Sequence, residues 1–492
     1  MKRRYLLGIR VSALIAVSML SACAAFGPPR TPPSMDSPSH YSLTPASSQV
    51  GGGRVGGQEL ALGAAPVPEW WHAFGNSSLE ALVSEALEKN QSLAAARANL
   101  RAAHEQVREQ VGDNLYPHLD AGFAPSRQRG LGIPVLPQQT FLYNVFAAEV
   151  QGSWTLDFFG AAALADRALL GQERTQAYEL EAARRSVAFN VVLAAINAAS
   201  LQGQIDAVAK YADAAEQRAK QLHQRFELGS ASRLEMLTAE QEAAEAQRAL
   251  PPLHRQLLAV QHAEAVLLGR TPDTAPAPLS LEAVQLPDRL PVAVPSELLH
   301  QRPDILAAEV TVRASADAAG AASAALYPSL TLSAAYGRGG FDWATFTSPA
   351  GTIWAAGASL TQPLFHGGAL RARQRRYQAS YEAAVAQYKQ TVLAAFESVA
   401  DNLVALEDDA QELEQTQRSV DALKQVEDEL EGRYASGSAP LYSVLGARSQ
   451  YQSAYVTYIE ARAARLSDSA ALLDAMGNPS TPEVAPSVRT GR

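Results

Sequence analysis

Between Ala161 and Phe226 the chain runs sixty-six residues without a proline and with glycine only at Gly171 and Gly203. From Val191 onward apolar residues fall at Val191, Ala194, Ala198, Leu201, Ile205, Val208, Ala212, Ala215, Ala219, Leu222 and Phe226. The gaps alternate three and four, the spacing of a coiled-coil seam. One helix of this length would measure roughly 100 Å at about 1.5 Å per residue, far beyond a compact domain. A second proline-free run, Ala369 to Tyr434, begins about two hundred residues later. Its seam holds Leu403, Leu406, Ala410, Leu413, Val420, Leu423 and Leu430. Gln417 and Glu427 interrupt it, either facing a water-filled interior or setting register on a solvated face. Two rods bracketed by strand-like segments suit a molecule that crosses a wide space better than one that encloses a small active site.

Composition fits long, closely packed helices: 47% hydrophobic, 18% charged, about a fifth alanine. The formal charge is -9, and removal of a leader carrying Lys2, Arg3, Arg4 and Arg10 makes it -13 (-9 - 4), which argues against a nucleic-acid partner. That leader has basic residues to Arg10, then an apolar run from Val11 to Leu20 that is too short to span a bilayer. Leu20-Ser21-Ala22-Cys23 follows and resembles a bacterial lipoprotein signal, in which the cysteine is acylated and becomes the new N-terminus. An ordinary leader beside an incidental cysteine is the alternative. Cys23 is the sole cysteine, so no disulfide can form within one chain. Ala24 in place of an aspartate resembles lipoproteins sorted to the outer membrane.

The organisation that follows is a signal peptide over 1–22, a lipid-anchored flexible tether over 23–68, and a first repeat over 69–269. The tether is rich in Pro, Gly and Ser. The first repeat opens at Trp70-Trp71, continues as an amphipathic helix to about Val111, and stops at Tyr116-Pro117. Strand-like segments at about 118–127 and 143–157 come next, then the rod, which ends at Gly229. Ser232 is placed to cap a returning helix that Pro251-Pro252 must break or kink. Residues 270–296, with six prolines, read as a linker. A second repeat over 297–477 has a helix at 297–325, strands near 329–338 and 352–363 and a rod ending at Gly437; 478–492 is a tail. Four landmarks recur at offsets of 211 (326 - 115), 206 (363 - 157), 208 (437 - 229) and 208 (477 - 269), which argues for an internal duplication.

Strands of about ten residues are long enough to cross a bilayer at a tilt. In the last, Ile353, Ala355, Gly357 and Ser359 alternate with Trp354, Ala356, Ala358 and Leu360, so one face is more apolar. Four strands cannot close a barrel, and open edges are excluded from hydrocarbon because their backbone groups go unpaired. Either the chains oligomerise, three of them giving about twelve strands, or the strands are not transmembrane.

Several motifs together carry a resemblance: Trp70-Trp71-x-x-Phe74, Asp157-Phe158-Phe159-Gly160, Pro295-Ser296-Glu297-Leu298-Leu299 running into Arg302-Pro303-Asp304-Ile305, Gln362-Pro363-Leu364-Phe365, and paired Arg-aromatic-x-x-Gly tips. The chain resembles the TolC-like outer-membrane efflux proteins of the lipoprotein (NodT/OprM-type) branch, over about 69–477. The resemblance implies a mainly α protein with a small β part. A long coiled-coil helical barrel joins a transmembrane β-barrel, with two internal repeats and four strands per protomer in a homotrimer. It implies a passive conduit in the outer membrane, lipid-anchored and extending into the periplasm, that receives small molecules from an inner-membrane pump through a periplasmic adaptor. Arg225, Gly229, Ser230, Arg433, Gly437 and Ser438 are the expected adaptor-docking tips, and Leu234, Glu235, Tyr442 and Arg448 the expected periplasmic gate. Two departures stand out. Val444-Leu445-Gly446-Ala447-Arg448 replaces a common Val-Leu-Asp-Ala-Gln, so the acidic ring at 446 is absent, and Pro440 stands where a capping serine is common.

No catalytic constellation accompanies these features: there is no Gly-x-Ser-x-Gly, Walker loop, His-Glu-x-x-His or cysteine pair, and the nine histidines are scattered. The expectation is a non-enzyme with neither cofactor nor metal. A type I secretion exit duct and a non-conducting periplasm-spanning scaffold are the alternative functions.

Overall fold

The structure, a computed structural model, describes residues 26–35, 38, 40–41, 49–51, 57–131 and 140–477. Seven main helices carry it: α1 Ser77–Lys89, α2 Gln91–Leu115, α3 Ala161–Glu227, α4 Arg233–Leu267, α5 Pro303–Ala324, α6 Ala369–Ala435 and α7 Leu441–Ala475. The two rods, α3 and α6, have 67 residues each and start 208 apart (369 - 161). The returning helices α4 and α7 have 35 each and also start 208 apart (441 - 233).

The expected seam of α3 is buried at Val191, Ala198, Ile205, Val208, Ala212, Ala215, Ala219 and Leu222, whereas Phe226 is exposed. Upstream the burial is broader than a seam. Val187, Ala188, Val192, Ala195, Ile196 and Ala199 are buried too, so this stretch is packed over a wide arc. An 18-residue window of α3 is apolar enough to cross a membrane by composition, and half of it is buried within the fold, as in a core helix.

Three helix boundaries differ from expectation. The helix expected to run to about Val111 is divided at Asn90, whose N–H bonds the Ala86 carbonyl (2.9 Å) and whose Oδ1 accepts from Ser92 (2.9 Å) and Leu93 (3.2 Å), so one side chain starts the next helix. Its Nδ2 donates to the Leu267 carbonyl at the end of α4 (2.8 Å), so the break is also a tertiary contact. The helix expected at 297–325 is a short turn, Pro295–Leu298, followed by α5, because Pro303 is accommodated in the first turn of a helix. Helix α4 is not broken at Pro251 and Pro252 and continues through both.

The strands form two sheets. β3 (His118–Phe123), β4 (Ser126–Leu131), β5 (Thr140–Leu156), β7 (Ser329–Gly340) and β8 (Thr352–Thr361) make the larger one, in the order β3-β5-β7-β8 with β4 also on β5. β3 and β4 share one register on β5, since His118 faces Ser153 and Ser126 faces Val145 (118 + 153 = 126 + 145 = 271). They are one strand interrupted at Pro125, which has no N–H to donate. The sheet therefore has four strand positions. The Gly/Pro/Gln loop expected before β5 falls at 132–139, outside the described residues.

The smaller sheet corrects the expectation of four strands in all. β1 (Gln49–Val50) pairs antiparallel with β2 (Gln58–Leu62), which pairs parallel with β6 (Arg289–Val292). The tether and the proline-rich linker thus share a sheet, held by backbone pairing and by burial of Val50, Leu60, Leu290 and Val292. The tether is docked elsewhere too. Arg30 pairs with Asp317 of α5 (2.9 Å), Phe26 meets Tyr327 edge-on (4.8 Å), and the Tyr41 hydroxyl donates to the Ala293 carbonyl (2.7 Å).

The chain packs as two units. One holds the described residues up to Ser34 with Asn99–Gln176 and Ala307–Tyr388, and contains the larger sheet. The other holds the remainder, with the smaller sheet and both hairpin tips.

Candidate functional site

Each rod ends in the same turn. Gly229 (φ +74°) and Gly437 (φ +76°) occupy the left-handed region, where a side chain is strained. At the first tip the Ser230 N–H bonds the Arg225 carbonyl (2.7 Å) and the Gly229 N–H bonds Phe226 (2.9 Å); at the second, Ser438 bonds Arg433 (2.8 Å) and Gly437 bonds Tyr434 (2.9 Å). This is the Schellman pattern, which satisfies carbonyls that the helix end leaves unpaired. The Ser230 and Ser438 hydroxyls donate to the same arginine carbonyls (3.0 and 3.1 Å). The side chain of Arg433 pairs with Glu429, one turn back.

Beyond the turn the copies diverge. Ser232 caps α4 in a reciprocal box: its Oγ accepts from Glu235 N–H (3.2 Å), and its own N–H donates to the Glu235 carboxylate (2.8 Å). Those bonds hold the Glu235 carboxyl below its ordinary range. Pro440 supplies no side-chain cap to α7. Ala215, Ala219, Leu222, Ala239, Ala243, Leu441 and Leu445 form a core just inside the tips, with Ala231 and Tyr434 against it.

The four expected gate residues have different surroundings within the chain. Leu234 and Tyr442 are exposed (75% and 70%), while Glu235 is engaged in the cap. Arg448 is drawn inside its own chain: Nε pairs with Glu427 (2.9 Å) and Nη2 with Glu431, which Arg218 of α3 also approaches (3.4 Å). Glu427 keeps 7% of its side chain exposed and also meets Lys424 (3.3 Å), so it neither faces open water nor breaks the packing. Sequence reading missed this cluster, because the opposing glutamates and arginine lie 17 and 21 residues apart across a turn (448 - 431 and 448 - 427). A cleft of about 740 Å³ opens beside it, lined by Lys210, Tyr211, Lys424, Glu427, Arg448 and Tyr451 among others. Among the described residues no group of three or more His, Cys, Asp or Glu is arranged to hold a metal ion. Cys23 lies outside the described residues.

The sequence block Arg302-Pro303-Asp304-Ile305 has a structural task. Arg302 binds Asp304 through two bonds (3.1 and 2.8 Å) and donates to the Ala475 carbonyl at the end of α7 (3.1 Å). Arg185 of α3 reaches Asp474 beside it (3.2 Å). Burial alone would raise the Asp304 carboxyl, but the Arg302 guanidinium holds it below its ordinary value.

The larger sheet carries the second candidate surface. Its registers place Leu119, Phe123, Val150, Trp154, Leu156, Leu330, Leu332, Tyr336, Trp354 and Leu360 on one face. His118, Asp120, Glu149, Gln151, Ser153, Thr155, Thr331, Ser333, Ser359 and Thr361 lie on the other. Leu119, Phe123, Val150, Trp154, Tyr336, Trp354 and Leu360 are exposed in the single chain. Among the described residues no strand pairs with the β3/β4 or β8 edge of this sheet.

The chain thus combines two copies of a long helical hairpin with a sheet that sorts most of its apolar and polar residues onto opposite faces. The outer membrane efflux protein family model matches residues 82–270 and again 294–478, and the chain belongs to that family. It is similar to the pyoverdine export outer membrane protein OpmQ of Pseudomonas aeruginosa, 28% identical over 421 residues, covering 84% of this chain and 88% of that one. The probable outer membrane lipoprotein SilC of Salmonella typhimurium is 25% identical over 95% of this chain and 98% of its own. Among solved structures, the outer-membrane channel OprN has the same fold, with a TM-score of 0.79 at 23% identity over 92% of this chain and 99% of that one. The protein is the outer-membrane component of a tripartite efflux system, working with a periplasmic adaptor and an inner-membrane pump.

Proposed function

We propose that three copies of this chain close their larger sheets into one barrel of about twelve strands. The carrying observation is the division of β3, the second half of β5, β7 up to Tyr336 and β8 into a mainly apolar and a mainly polar face, with Arg127, Arg129 and Arg338 on the apolar side only beyond that band, and with no strand paired to either sheet edge among the described residues. In hydrocarbon those edges cost several kcal/mol per unpaired backbone group, roughly, and only closure removes them. The apolar face then meets lipid and the polar face lines a passive conduit for small molecules. Two repeats, 69–269 and 297–477, supply the conduit wall, a reading supported by the equal lengths and the 208-residue offset of the helix pairs.

The tips at Gly229 and Gly437, with Arg225, Ser230, Arg433 and Ser438, are the surface we assign to the adaptor. Leu234 and Tyr442, exposed at matching positions (442 - 234 = 208), are available to line a closing inner end, whereas Glu235 and Arg448 are committed within the chain. Acylation of Cys23 would hold the N-terminus in the membrane. The description of SilC as a lipoprotein supports that reading.

Purified protein reconstituted into planar bilayers tests the barrel. The expected result is discrete channel conductance from a species that native mass spectrometry sizes as a trimer. A folded, monodisperse monomer that never conducts would overturn the proposal.

A further inference from the structure

Helix α6 begins with four arginines in six residues, Arg371, Arg373, Arg375 and Arg376, in a chain whose net charge is -9. All four are exposed, and among the described residues none forms an ion pair. Arg373 and Arg376 lie over the Tyr377 ring (5.9 and 4.6 Å), which orders the side chains and leaves their charge uncompensated. The first turn of α6 holds no acidic residue, and a helix start disfavours positive charge. Folding does not demand these residues. At the matching positions 208 earlier, the first rod has Ala163, Ala165, Arg167 and Ala168 and starts a helix of the same length.

Their setting supplies the partner. β8 ends at Thr361, and the short connection to α6 carries Leu364 and Phe365, 91% and 87% exposed. Ten residues after the last strand residue the arginines begin (371 - 361). An apolar strand face, then two bare apolar side chains, then unpaired guanidinium groups is the order of a bilayer boundary: hydrocarbon, interface, phosphate. We propose that Arg371, Arg373, Arg375 and Arg376, which ring the first turns of α6 rather than sharing one face, form a collar that binds the phosphate headgroups of anionic phospholipids in the periplasm-facing leaflet of the outer membrane. The surface rests on the barrel reading, since the strands must cross the membrane for these residues to reach its edge.

The test uses the full-length protein in detergent, presented with equal amounts of phosphatidylglycerol and phosphatidylcholine, with bound lipid counted by native mass spectrometry. Wild type is expected to retain phosphatidylglycerol in preference. Changing all four arginines to glutamine should weaken that retention at least tenfold or so, because each surface cation contributes roughly fivefold, while changing all four to lysine should keep most of it. Should the fourfold glutamine variant fail to assemble, the paired change Arg371→Gln with Arg375→Gln gives a smaller loss in the same direction. Equal retention of the two lipids by wild type, or wild-type retention by the glutamine variant, overturns the surface. Conductance on the same preparations reports the barrel separately: a conducting protein without lipid preference overturns only the surface, and a protein that never conducts overturns both.

Discussion

The two hairpin tips have the same backbone and opposite chemistry. His223 and Glu240 of the first hairpin correspond to Glu431 and Arg448 of the second (223 + 208 = 431; 240 + 208 = 448). Both pairs touch, with acid and base exchanged: His223 Nδ1 meets Glu240 at 3.1 Å, and Arg448 meets Glu431. The first pair is half exposed, 52% and 43%, while Arg448 keeps only 14% of its side chain exposed and gains the buried Glu427. Leu237 is exposed where its counterpart Leu445 is buried in the tip core. Duplication preserved what a turn needs, a residue that tolerates positive φ. What fastens each returning helix was left to its neighbours: a capping box for α4, and packing plus a buried ion cluster for α7.

The largest test of that contrast is Arg448→Ala against Glu240→Ala. Loss of Arg448 strands Glu427 with its main cation gone and should destabilise the protein by about 3–5 kcal/mol. Loss of Glu240 removes an exposed pair and should cost below about 1 kcal/mol. Denaturant unfolding of the purified proteins measures both, and equal losses would erase the distinction.

A second matched pair lies near the other end of the returning helices. Glu264 and Leu472 are equivalent (264 + 208 = 472), and both are buried. Burial pushes the Glu264 carboxyl up to about 7, with Arg270 opposing. A raised acid binds its proton more tightly folded than unfolded, so stability falls as pH rises from the ordinary glutamate value to about 7 and is level beyond. Glu264→Leu, which copies the second hairpin, should stabilise by on the order of 2–3 kcal/mol at pH 8 and by little near pH 4. A gain of equal size at both pH values would mean that packing, not charge, is responsible.

Smaller effects come from the turn itself. A Cβ at Gly229 or Gly437 meets open space, so alanine at either should cost only the conformational strain, about 1 kcal/mol. Thermal unfolding should place the two losses within a few tenths of each other, because the φ angles nearly coincide. Ser232→Ala should cost about 1 kcal/mol by removing the capping box, an effect with no counterpart at Pro440.

A small effect on stability is also expected from Ser230→Trp combined with Ser438→Trp, about 0.5–1 kcal/mol per site, since both sites are exposed and each loses only a hydroxyl bond to an arginine carbonyl that the backbone N–H still serves. The same double variant should abolish drug resistance and adaptor cross-linking. Full efflux with normal cross-linking would leave the tips as turns alone.

Legibility followed the range of the forces involved. Rod lengths, the glycine turns, Ser232 as a cap and the offset of the repeats were readable, because helix periodicity and turn conformation are set by residues a few positions apart. The apolar alternation of β8 could be read alone, whereas its extension across β3, β5 and β7 depended on pairing register, where a slip of one residue would exchange the faces. The pairing of tether with linker in the smaller sheet was hidden, since β2 and β6 are 227 residues apart (289 - 62) and neither has strong alternation. Asn90 looked like a helix residue until its amide met the end of α4.

By itself, then, the sequence determined local conformation, the duplication and the family, because each is written in short-range pattern or in the order of motifs. Only tertiary structure decided which charges are buried. Arg448, expected from the sequence among the gate residues, is also a partner of Glu427, because α6 and α7 return side by side from the same turn. Whether a charge is solvated or stranded depends on what packs over it, and that is a property of the assembled helices rather than of any segment.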